Sequence, residues 1–172
     1  MRFIHFLLII LAAIFQTTVM HYFSIKLGMI NIILVVFVAL VFFKFFNLGL
    51  VWAVFGGILL DFLSSFPSGL FLFGFLIIYS ALALLFKVFE FEEPVAFFII
   101  IFLASVIFDF FIFGYLKIRG NYLVFNVFYN IIIFDSLLNV GFGLFLYPVL
   151  IYINRHFLSK KQRTISLIEL YK

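Results

Sequence analysis

The sequence has no cysteine, three prolines, a single tryptophan and three histidines, and it is poor in charge. Without cysteine there are no disulfide staples and no thiolate metal sites. Charged residues make up 10% of the chain, against about a quarter in an ordinary soluble domain. His5, His21 and His156 fall in or beside different segments with no ligand spacing between them. There is no glycine-rich phosphate loop, no HExxH pattern and no carboxylate–histidine set. An intramembrane protease that works with aspartates alone needs two facing carboxyls, and nothing around Asp61 and Asp109 supports that role. The expectation is therefore a protein that is not an enzyme, with no cofactor and no metal. The net charge of +4 is no nucleic-acid signal, because the basic residues lie between apolar runs and in the tail, where membrane topology explains them first.

What the chain does have is apolar surface. Of its 172 residues 68% are hydrophobic, 31 are Phe, and the mean hydropathy is +1.39. One domain of this length cannot hide so much apolar surface in a core, so lipid has to solvate it. A helix needs roughly 17–25 apolar residues to cross the hydrocarbon layer. The qualifying runs are residues 3–20, 29–43, 48–64, 69–86, 94–116 and 136–153, followed by a basic tail over 154–172. The expected fold is an all-α integral membrane protein, a six-helix transmembrane bundle. The first run lacks a small-x-small cleavage site and is read as an uncleaved span. The second and third are short and tightly joined through Phe42-Phe43-Lys44-Phe45-Phe46-Asn47. Pro94 suits the first turn of the fifth. The stretch 121–134 is apolar but interrupted by Asn126 and Asn130. It is open to three readings: an interfacial helix, a re-entrant helix, or an extension of the last span.

Six spans with the amino terminus inside place Arg2, Lys44, Lys87, Arg155, Lys160, Lys161, Arg163 and Lys172 in the cytoplasm and leave Lys26, Lys117 and Arg119 outside. The positive-inside rule favours this orientation, with both termini cytoplasmic. Arg and Lys beside the last span also attract anionic headgroups.

Ionisable groups are costly in hydrocarbon, and Asp61, Asp109 and Asp135 lie within or at the edge of the spans. In this topology all three fall toward the outer leaflet. They either form a polar pocket or partner-docking site, completed by Lys26, Lys117 or Arg119, or each caps a helix or bonds a neighbouring one. For Asp135, an N-cap is the ordinary reading. Gly49, Ala53, Gly57 and Asp61 are spaced by four and form one stripe down span three, with Gly56 on the adjacent face. Small residues at that spacing let backbones approach closely, which predicts a central, buried third helix. The stripe ends in Ser64-Ser65-Phe66-Pro67-Ser68-Gly69, a turn built from turn-forming residues. Ser136, Asn139 and Gly143 make a similar stripe on span six, continued by Tyr147 beside Pro148. Spans three and six are thus expected to pack together. Ser105 lies one turn before Asp109, and Gln16 and Asn31 read as isolated polar residues satisfied by the structure.

The segment Asn47-Leu48-Gly49 … Gly57-Ile58-Leu59-Leu60-Asp61-Phe62-Leu63-Ser64 … Gly69-Leu70 resembles the MreD family of bacterial rod-shape-determining membrane proteins. That family shows a G-x-x-x-D-x-x-S pattern followed by a Gly that opens the next span. Asn31 at the head of span two, Ser105 to Asp109 in span five, and Asn139 and Tyr147-Pro148 before a basic tail agree with it, although Ile30 stands where family members often have Pro. The resemblance covers nearly the whole chain and implies a six-helix fold similar to the substrate-binding subunits of energy-coupling-factor (ECF) transporters. It implies a non-enzymatic part of the cell-elongation machinery in the bacterial cytoplasmic membrane. The implied partner is an MreC-like bitopic protein, and through it a SEDS glycosyltransferase, a class B transpeptidase and the MreB filament. Gly57, Asp61, Gly69, Asn139 and Pro148 are the matching residues, with helix packing and partner docking as their implied role. The rival expectation is a vitamin-binding subunit of an ECF-type transporter.

Overall fold

The computed structural model describes residues 2–27, 30–64, 66–89, 91, 93–120 and 125–170, with side chains for 4–18, 30–64, 66–89, 91, 93–120 and 129–152. Ser65 and the side chains of Arg2, His21, Lys26, Asn126, Arg155, His156, Lys160, Lys161 and Arg163 lie outside this set, as does Lys172. The described residues form six helices: α1 (Arg2–Leu27), α2 (Ile32–Phe42), α3 (Phe46–Leu63), α4 (Leu70–Val88), α5 (Pro94–Ile118) and α6 (Phe125–Leu170). Four stretches are long and apolar enough to cross a membrane: α3, α4, α5 and Tyr129–Tyr152 of α6. Phe62, Phe73, Leu84, Leu103 and Phe145 each leave half or more of their surface uncovered. Apolar exposure of this kind on every long helix suits lipid and not water. The chain is a helical membrane protein.

Helix packing follows one plan. Helices α1, α3, α4, α5 and α6 touch in that order and close a ring, α6 returning to α1, and α2 touches all five. Every residue of α2 except Val36 is buried. A helix that is apolar all round is one shielded on all sides, and residues 32–42 contain no polar side chain. The central helix is therefore α2, not α3 as the glycine stripe suggested. The expected pairing of the third and last spans is likewise corrected: among the described residues α3 packs on α4, α2 and α1 and does not meet α6. The stripe serves two neighbours. A Cβ on Gly49 would lie 2.7 Å from Val41 of α2, one on Gly56 would strike Ile33 of α2, and one on Gly57 would lie 2.7 Å from Cα of Leu72 on α4. On α6, a Cβ at Gly143 would lie 2.7 Å from Ile101 of α5.

Phenylalanine supplies the bulk of the interior. One cluster links Phe37, Phe75, Phe108 and Phe71, with the Phe75 and Phe108 centroids 5.0 Å apart. A second joins Phe42 to Phe86 and Phe97, and Phe97 to Tyr147 at 5.0 Å. Offset and edge-on ring pairs at these separations add to simple burial. Both ends of α2 have a defined stop. At its carboxyl end Lys44 adopts φ 63°, the Lys44 N–H donates to the Val41 carbonyl at 2.9 Å, and the Phe45 N–H donates to that of Leu40 at 2.8 Å. This is the Schellman pattern, and it turns the chain into α3 within a few residues.

The stretch 125–134 resolves the three readings of 121–134 in favour of the extension, since α6 runs unbroken from Phe125 through Pro148 to Leu170. At about 1.5 Å per residue, its 46 residues reach about 69 Å, more than twice the roughly 30 Å of a hydrocarbon core.

Candidate functional site

An 11-residue helix is only about 16 Å long, so α2 begins partway through the bundle. A helix starting there exposes unpaired N–H groups where water does not reach them. Four polar side chains answer that need. The Asn31 side chain caps α2, its Oδ1 accepting from the Leu34 N–H at 3.1 Å. The Asn31 N–H donates to Asn139 Oδ1 at 2.7 Å. The Ile33 N–H donates to Gln16 Oε1 at 3.3 Å, and Gln16 Nε2 donates to Asn31 Oδ1 at 3.2 Å. On the far side Asn139 Nδ2 donates to Ser105 Oγ at 3.0 Å, and Ser105 donates to the Ile101 carbonyl at 2.9 Å. Asn31, Ser105 and Asn139 are buried, at 8%, 1% and 3% exposure. This polar pin ties α1, α2, α5 and α6 at one level, and the side-chain oxygens of Gln16, Asn31 and Asn139 each accept from a backbone amide at the start of α2. Gln16 and Asn31, read from the sequence as isolated, are bonded to each other.

Asp61 works at a different place. From the last turn of α3 its Oδ1 accepts from the Phe71 N–H at 2.9 Å and its Oδ2 from the Leu72 N–H at 3.2 Å. Those are orphan donors of the first turn of α4, where a carboxylate also meets the positive end of the helix dipole. Gly69 opens α4 with φ 96°, and Gly57 brings the α3 backbone against Leu72 one turn below. Gly57, Asp61 and Gly69 thus form one clasp between consecutive helices. Of the two readings of Asp61, the cap is the one present.

The third group is the seam between α5 and α6. These helices are antiparallel: Ser105 meets Asn139, and Ile101 meets Gly143. One turn beyond the Ser105–Asn139 bond come Asp109 on α5 and Asp135 on α6, whose carboxyls interact electrostatically. Asp109 Oδ2 and Ser136 Oγ are buried with no hydrogen-bond partner. Pro148, farther along α6, is exposed and has no N–H for Leu144.

The expected residues therefore fall into separate assemblies. Gly57, Asp61 and Gly69 belong to the α3–α4 clasp, Gly49 and Ala53 to the interior face of α3, and Asn139 and Gly143 to the inner face of α6. Asp109 stands one turn from the pin. No spacing along the chain links Gln16 to Asn31, through which it joins Asn139. Gly74 of α4 also went unnoticed, although a Cβ there would lie 2.8 Å from Phe108. Among the described residues no three His, Cys, Asp or Glu side chains are placed to hold a metal ion. Comparison with known proteins adds nothing further: no family model, no curated protein and no solved structure matches the chain.

Proposed function

We propose that this chain is a non-enzymatic assembly component of the bacterial cell-elongation machinery, a six-span protein of the cytoplasmic membrane with both termini in the cytoplasm. The observation that carries the reading is the MreD-like segment from Gly57 through Asp61 to Gly69, whose three motif residues act together as one clasp. A motif built for packing, on a chain whose polar residues are largely spent on its own helices, suits a scaffold. The partner in this reading is an MreC-like bitopic protein, which links the chain to the glycosyltransferase, the transpeptidase and the MreB filament. Membrane lipids cover the remaining apolar surface. Deleting the gene from a rod-shaped host tests it: cells should widen or round up, and affinity capture of the tagged protein should recover the bitopic partner. Unchanged shape after a clean deletion refutes the proposal.

A second reading, the vitamin-binding subunit of an ECF-type transporter, has one observation in its favour. Asp109 Oδ2 and Ser136 Oγ are buried without partners, as groups reserved for a solute would be. Mass spectrometry of the purified protein separates the two, since a transport subunit of this kind retains its small organic ligand.

A further inference from the structure

We propose that the α5–α6 seam holds a monovalent alkali cation between Asp109 and Ser136, one helical turn beyond the Ser105–Asn139 bond. The inference starts from two groups that the packing leaves unanswered. Asp109 Oδ2 is sealed from solvent and accepts no hydrogen bond, and Ser136, at 0% exposure, has a hydroxyl with no partner. A buried polar group without a partner costs about 1–3 kcal/mol, and a lone carboxylate costs more. Two such groups on facing helices at one level call for an occupant.

The antiparallel register puts them at that level. Asp109 is four residues beyond Ser105, while Asp135 and Ser136 are four and three residues before Asn139, so each lies about 4.5–6 Å along the axis from the bond. The central helix starts at Asn31, whose N–H reaches Asn139. At the level of Ser136 there is accordingly no α2 to cover the inner face of α6, and α5 is the principal neighbour of α6. Ser136 is buried one turn from Asn139 on α6, and Asp109 lies on the neighbouring α5 one turn from Ser105, at about the same level.

The donor set decides the ligand class. Carboxylate and hydroxyl oxygens are hard donors, suited to hard cations. A calcium site takes six to eight oxygens and magnesium keeps several of its waters, whereas no convergence of three acidic or histidine side chains occurs among the described residues. A single positive charge matches the seam. This inference is independent of the assembly role: the cation would brace α5 against α6 whatever the protein binds.

Thermal unfolding of the full chain in detergent micelles tests it, with NaCl, LiCl, KCl and N-methylglucamine chloride compared at equal ionic strength. The expected result is a saturable rise in midpoint with one small alkali ion, roughly 3–6 °C at ten times the dissociation constant, and none with N-methylglucamine. D109N should abolish the rise, and S136A should move its half-saturation to several-fold higher concentration. Equal midpoints in all four salts overturn the proposal, as does an alkali-ion response that D109N and S136A both retain. An organic molecule retained by wild type and lost from D109N overturns it in favour of a solute site. If D109N does not fold, the wild-type salt series together with S136A decides.

Discussion

Replacing Asn139 with leucine keeps much of the side-chain volume and removes both bonds that its amide makes across the bundle. The two losses are unequal. The Asn31 N–H, held at 2.7 Å by Asn139 Oδ1, is left with no acceptor, and a buried donor in that state costs about 1–3 kcal/mol. Ser105 loses less, because its hydroxyl still donates to the Ile101 carbonyl. Side-chain bonds between membrane helices average about 0.6 kcal/mol, with a ceiling near 1.7. N139L should therefore lose about 2 kcal/mol and S105A about 0.6 kcal/mol. In the double variant the second substitution should cost close to nothing, since the bond between the two residues is already gone. Reversible unfolding in mixed micelles measures all four corners of this cycle. If N139L is within about 0.3 kcal/mol of wild type, or if the two losses add in full, the pin does not hold the amino end of α2 as described.

Other substitutions read different contacts. G57A should cost about 1–3 kcal/mol, because its Cβ meets Leu72 backbone and not a flexible side-chain end; G114A, with nothing within 4 Å, should be neutral or stabilising by up to about 1 kcal/mol, and the same unfolding assay compares them. D61A should lose about 1–2 kcal/mol as both α4 donors are orphaned, with D61N between it and wild type because it keeps one acceptor oxygen; equal stability of all three contradicts the clasp. K44G should stabilise by up to about 1 kcal/mol by relieving a left-handed lysine, whereas G69A should destabilise by a similar amount for the same reason in reverse, a pair of opposite signs that is checked side by side.

Local features were legible in the sequence and long-range ones were not. The Asp61 clasp spans a single short turn, so the spacing of Gly57, Asp61 and Gly69 along the chain already contains its geometry. The pin joins Asn31 to a residue 108 positions away, and periodicity reports which face a side chain occupies but not which helix lies opposite. Small residues misled in one respect. They mark where backbones come close, and α3 has two such contacts, yet closeness is not centrality. The better sign of the central helix was the polar-free run from Ile32 to Phe42. Likewise, similar stripes on α3 and α6 suggested mutual packing, but each stripe is complementary to its own neighbours, α2 and α4 for one, α5 and α2 for the other. The shortness of the second run and Asn31 at its head were legible, but not that this head is tied to α1 and α6, because periodicity carries no information on depth in the bundle.

A central helix whose first amide is held by Asn139 imposes an order on how the chain is built. Ribosomal synthesis delivers α2 early, and the residue that completes its amino end only after three more helices have followed and the last has begun. Until then that amide must do without its native acceptor, and the ring that shields α2 stays open between α1 and the growing end. The last helix to be made is thus the one that locks the first hairpin, so a chain cut short before Asn139 would lose the interior as well as its tail.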